Sequence, residues 1–114
     1  MNLTPLEKAV LEMMTEKPGE HFETIKQQLV PASVGRREFS GVGFFTYFIV
    51  SAGATVKRNL PNMELTGVGA AFPNLEHGAG FVLFIRDGVI NMLEGFTYDE
   101  NWPEQVDTFK LFRI

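Results

Sequence analysis

The chain has 114 residues, a formal net charge of −4 and no cysteine. That length supplies one hydrophobic core and not two, so a single domain over residues 1–114 is expected. The acidic balance argues against nucleic acid, which is held by Lys and Arg on phosphates, and the lack of cysteine excludes disulfides, thiolate metal sites and a Cys nucleophile.

Thr4-Pro5-Leu6-Glu7 reads as a helix start: a capping hydroxyl, a proline suited to the first turn, and a glutamate that completes a capping box. Leu3, Leu6, Val10 and Met14 then recur at helical spacing, with Met13 beside them, which predicts a helix over about Pro5 to Glu16. Pro18-Gly19 ends it. A second helix is expected from Glu20 to Leu29 with Phe22, Ile25 and Leu29 as its apolar stripe, and Pro31 beyond its end. Two short stripes of this kind must pack on something larger.

From Val34 the texture becomes β. Strands are expected at Val34 to Phe39, Gly43 to Val50, Met63 to Phe72, Phe81 to Arg86, Val89 to Tyr98 and Val106 to Ile114, with a polar connection over Ser51 to Pro61. Gly67 and Gly69 mark a bulge in the weaker Met63 strand. Asp87-Gly88 is a two-residue hairpin signal. The fold class is therefore α+β: a helix pair, then a five- or six-stranded antiparallel, strongly curved sheet.

A tight turn at Asp87-Gly88 pairs Ile85 with Ile90, Leu83 with Met92 and Phe81 with Glu94. One hairpin face then carries Phe81, Leu83, Ile85, Ile90, Met92, Glu94 and Phe96, and the other Val82, Phe84, Arg86, Val89, Asn91, Leu93 and Thr97. Gly43 to Val50 is likewise apolar on both sides. An antiparallel sheet with one wet face normally alternates, and two short helices cover one face only. The second face needs sheet curvature, long loops, a ligand or another subunit. A symmetric homodimer is the simplest of these, burying either Phe44, Phe48, Val82, Phe84 and Leu93 or Phe45, Ile49, Leu83, Ile85 and Met92.

Most catalytic signatures are absent. Gly41-Val42-Gly43 lacks the third glycine of a dinucleotide fingerprint, and there is no phosphate loop, zinc motif or nucleophile elbow. His21 and His77 lie too far apart in sequence to suggest a metal pair. No cofactor and no metal are expected. What remains is a polar cluster: Glu76 and His77 ahead of the strongest strand, with Glu94 and Tyr98 at the same end of the hairpin. A carboxylate on an apolar face needs a partner; His77, Arg36, Arg37 and Tyr98 are the candidates. These residues could converge on a small ligand, or Glu94 could sit at the sheet rim tied to a loop N–H or an arginine. Trp102-Pro103 is expected to anchor a loop, with contact to a protein partner as the alternative.

Two stretches, Arg37-Glu38-Phe39-Ser40-Gly41-Val42-Gly43-Phe44-Phe45-Thr46 and Leu75-Glu76-His77-Gly78-Ala79-Gly80-Phe81 with Met92-Leu93-Glu94-Gly95-Phe96-Thr97-Tyr98-Asp99-Glu100, resemble a family of small uncharacterised bacterial proteins. The resemblance implies a stand-alone cytoplasmic domain and no particular activity. Met1 to Leu11 carries Glu7 and Lys8 where a signal peptide is apolar, and no apolar run approaches the ~18 residues of a membrane span. A cytoplasmic protein without a membrane partner is expected.

The expected function is non-catalytic binding of a ligand or protein, with self-association. Two alternatives stand beside it. One is a small immunity-like or regulatory protein that binds one other protein. The other is a small enzyme with Glu94 and His77 as acid and base, which requires both groups to reach one substrate.

Overall fold

The structure, a computed structural model, describes residues 1–50 and 60–114. The connection expected over Ser51 to Pro61 lies largely outside them. Two helices, α1 (Pro5–Met14) and α2 (Glu20–Leu29), precede seven strands: β1 (Ser33–Phe39), β2 (Gly43–Ile49), β3 (Met63–Leu65), β4 (Val68–Ala71), β5 (Ala79–Arg86), β6 (Val89–Thr97) and β7 (Lys110–Arg113). All pairings are antiparallel, in the order β1-β2-β6-β5-β4-β7, with β3 beside β4 along the length of β5. The sheet is open, not a barrel, and the α+β reading holds.

Among the described residues the count is seven strands where five or six were expected. The segment from Met63 to Phe72 breaks at Thr66-Gly67 rather than bulging. Gly67 takes a left-handed φ of 95°, which turns the chain between β3, paired with Leu83 to Ile85, and β4, paired with Ala79 and Gly80.

Local chemistry explains the helices. The Thr4 hydroxyl accepts from the Glu7 N–H at 3.1 Å, and the Glu7 carboxylate accepts from the Thr4 N–H at 2.7 Å. Leu6, Val10, Leu11 and Met14 of α1 are buried against β4, β5 and β6 residues such as Val68, Ala70, Leu83 and Leu93. In α2 the buried line is Thr24, Ile25 and Gln28, and Phe22 and Leu29 of the expected stripe are only partly covered. Gln28 is the cause. Its amide donates to the Gly88 carbonyl and accepts from the Ile90 N–H, both at 2.8 Å, so α2 is rotated to satisfy the hairpin it lies on. Asp87 and Gly88 both have positive φ, 55° and 81°, as the expected tight turn requires.

Two bulges set which side chains face the helices. In β1, Val34 pairs with Phe48 and Arg36 with Tyr47, leaving Gly35 as the extra residue. In β6, Ile90 pairs with Ile85 and Met92 with Phe84, leaving Asn91 unpaired. A bulge inserts one residue and reverses the alternation beyond it. The expected hairpin register therefore holds at Ile85–Ile90 and fails beyond: Leu83 faces Leu93, Val82 faces Glu94 and Phe81 faces Gly95. Phe44, Phe48, Leu83, Ile85 and Leu93 point to the helices. Phe45, Ile49, Val82, Phe84 and Met92 point away. Neither of the two sets expected from an unbulged register is the one realised.

Candidate interaction face

The face turned away from the helices can be written as rows across the strands. One row runs Arg36 (β1), Tyr47 (β2), Met92 (β6), Phe84 (β5), Glu64 (β3). The next runs Glu38, Phe45, Glu94, Val82. A third runs Gly43, Phe96, Gly80, Gly69, Phe112. The third row is level despite its large rings because glycines lie beneath them. A Cβ on Gly80 would meet the Tyr98 hydroxyl at 2.6 Å and the Phe96 ring at 2.8 Å, and one on Gly69 would meet the Phe112 ring at 2.6 Å.

Phe45, Tyr47, Val82, Phe84, Met92 and Phe96 are half-buried. Ile49 is 56% exposed, Phe112 44% and Tyr98 43%. Among the described residues nothing is packed over this face, so a contiguous apolar surface remains in contact with water, and soluble monomers rarely expose more than a few hundred Å² of that kind.

Charge is confined to the rims, with one exception. Arg36 lays its guanidinium carbon 4.1 Å from the centre of the Tyr47 ring and reaches Glu38 at 3.6 Å. At the other rim Arg86 holds Glu64 at 3.1 Å. Glu94 stands between Phe45 and Val82, half-buried, and makes no hydrogen bond or ion pair with a described residue. The partner expected for it from His77, Arg36, Arg37 or Tyr98 is not there.

The other candidate residues are dispersed. His77 and Glu76 are exposed in the turn before β5, 4.0 Å from each other, and their backbone N–H groups donate to the Glu100 carboxylate at 2.9 and 3.0 Å. Those two N–H donors hold the Glu100 carboxyl below its usual range. His77 sits in the turn ahead of β5, five residues before Val82, the residue beside Glu94, and it makes no contact with Glu94. Tyr98 packs edge-on against Phe96, ring centres 5.5 Å apart. Trp102 packs edge-on against Phe44 and Phe72 at 5.0 and 5.6 Å, a loop anchor on the helix side.

Arg37 lies on the opposite side from Arg36, as neighbours in a strand do, and the Gly35 bulge makes Arg37 the inward one. It meets a residue that the sequence marks only as a helix cap. Glu7, 2% exposed, accepts from Arg37 Nε at 2.9 Å, Arg37 Nη2 at 2.6 Å, the Thr46 hydroxyl and the Thr4 N–H. Burial alone would push the Glu7 carboxyl up; the bonds from Arg37, Thr46 and Thr4, with the charge of Arg37, outweigh it and hold the group below its ordinary value of 4.5. This cluster floors a groove of about 280 Å³ lined by Pro5, Phe39, Phe44, Trp102 and Val106. Its polar atoms are all engaged internally, which makes it a structural tie between α1 and the sheet.

A depressed folded pKa stabilises the protein above the unfolded value and loses that contribution as pH falls through the folded value. Urea unfolding midpoints are therefore expected to hold above pH 5 and to fall steadily below about pH 4.5. Glu7→Gln is expected to flatten that acid limb. A limb equally steep in the variant would assign it to other carboxylates.

Taken together, fold and face define a two-layer α+β domain, helices over an open antiparallel sheet whose second face is apolar. No protein-family model, no curated protein and no solved structure matches this chain. No helix among the described residues is long and apolar enough to cross a membrane.

Proposed function

We propose that the protein is a non-catalytic interaction domain that self-associates through the open face of its sheet. One observation carries this reading: an apolar surface centred on β2, β6 and β5, with charge at its β1 and β3 edges and glycines beneath its large rings. An inert outer face would cost less to hydrate if it alternated with polar residues, as wet sheet faces do. The covered counterpart is the ordinary way a soluble protein retains such a surface. The polar candidates do not form a catalytic constellation, since Glu94 and His77 are separated and the buried carboxylate, Glu7, is locked in an ion pair. The resemblance to small bacterial proteins and the acidic charge fit a cytoplasmic domain of this kind.

Light scattering of the full chain at micromolar concentration tests the reading. A mass near twice the 12.8 kDa of one chain, falling towards one chain on dilution, is expected. A one-chain mass at every concentration would remove self-association.

A further inference from the structure

We infer that the partner on the open face is a second copy of this chain, set by a two-fold axis running along β6, so that Arg36 of each copy meets Glu64 of the other. This rests on the interaction face described above and specifies its occupant.

The first row of the face is the ground for it. Read from β1 to β3 it is Arg36, Tyr47, Met92, Phe84, Glu64. Met92 on β6 is the midpoint. An aromatic ring stands on either side of it, and the ends carry opposite charges. A two-fold axis along β6 exchanges the two halves, so Arg36 lies over Glu64 of the copy, Tyr47 over Phe84, and Met92 over Met92. The second row obeys the same operation, with Phe45 over Val82. An isologous interface requires this self-complementarity, because every contact occurs twice. The rim charges are pre-placed: the Arg36 guanidinium carbon lies 4.1 Å from the Tyr47 ring centre, and Arg86 reaches Glu64 at 3.1 Å.

The size suits a weak, concentration-dependent interface: five strands about 4.8 Å apart and about 16 Å long give a footprint of roughly 400 Å² per chain, about 800 Å² for the pair. Sheets packed face to face lie about 10 Å apart, and an axis along β6 sets each β6 alongside its copy.

One residue opposes the arrangement, and it makes the inference sharp. Glu94 lies on the axis, so the two Glu94 carboxyls face each other among Phe45, Val82, Met92 and Phe96. Like charges brought together in an apolar setting cannot both stay ionised cheaply, and one takes up a proton. The charged and titratable groups on the face are Glu38 and Arg36 from β1, Tyr47 from β2, Tyr98 beyond β6, Arg86 from β5, Glu64 from β3 and Lys110 from β7. Of these Arg36, Arg86 and Lys110 are cationic; the first two are at the rims in ion pairs of their own, and Lys110 is exposed on the far edge strand. Association therefore binds protons and tightens as pH falls.

Sedimentation equilibrium of the full chain from pH 8 to pH 5.5 is the test, with circular dichroism to confirm folding. The dimer is expected to tighten about tenfold across that range. Glu94→Gln is expected to bind about tenfold tighter than the native chain at pH 8 and to lose the pH dependence. Arg36→Glu is expected to weaken association about tenfold, and Arg36→Glu with Glu64→Lys to restore most of it. A dimer that responds to none of these changes overturns the β6 axis and leaves the face as the interaction surface. A dimer that weakens in Glu94→Gln also overturns it. A native chain that stays monomeric throughout overturns both the axis and the interaction face.

Discussion

Replacing Arg37 by methionine is expected to destabilise the fold by about 3–5 kcal/mol, the range seen when one member of a buried pair is removed. Among the described residues, Arg37 gives the Glu7 carboxylate two of its four hydrogen bonds and the one positive charge acting on it. Methionine keeps the stem of the side chain and removes both. Glu7 is then left almost wholly buried as an uncompensated anion, or is protonated and loses its remaining charge-assisted bonds. For a domain of this size the melting temperature should fall by roughly 12–25 °C. The loss is expected to be non-additive. Arg37→Met combined with Glu7→Leu and Thr46→Val removes the whole polar group and should recover much of the deficit, because apolar replacement of a complete buried cluster is often near neutral. Thermal melts of the single and triple variants decide it. A fall of only a few degrees in Arg37→Met would show that water reaches Glu7 and that the tie between α1 and the sheet is weaker than its geometry implies.

Arg37 also shows where sequence reading stops. The capping box at Thr4 and Glu7, the helix spans, the Asp87-Gly88 turn and the β texture after residue 33 are local signals, written within four or five residues. The side of the sheet on which a residue lies is not local when bulges intervene. Nothing around Gly35 or Asn91 distinguishes a bulge from a regular strand, yet those two residues move Arg37 inward and Arg36 outward, and Leu93 inward and Glu94 outward. The pairing of Glu7 with Arg37 spans 30 residues and was hidden by a second role, since the same carboxylate that closes the capping box also receives the arginine. Gln28 lies outside the expected stripe of Phe22, Ile25 and Leu29, and only the position of the Gly88 turn explains its burial. The doubled apolar character of the strands, by contrast, was legible, and it survives the change of register: whichever set faces the helices, another apolar set faces out.

That outward set supports the second large effect. Tyr47→Asp is expected to weaken self-association at least 100-fold while leaving the fold intact, since burying an unpaired charge at an interface costs about 3 kcal/mol or more. The position is chosen for its neighbours. Tyr47 lies between Arg36 and Met92 on the open face, so in a single chain the new carboxylate is exposed and has an arginine beside it, and the loss in strand preference stays near 1 kcal/mol or below. In the pair it would be pressed against Phe84 of the copy with no cation left over, because Arg36 is engaged at the rim.

The most direct measurement is sedimentation velocity of the native chain and the Tyr47→Asp variant side by side, at matched micromolar concentrations and neutral pH. A concentration-dependent two-chain species for the native protein, and a single chain for the variant with an unchanged circular dichroism spectrum and melting behaviour, is the result expected if the open sheet face is the working surface. A native chain that sediments as a monomer, or a variant that still pairs as the native chain does, would contradict it.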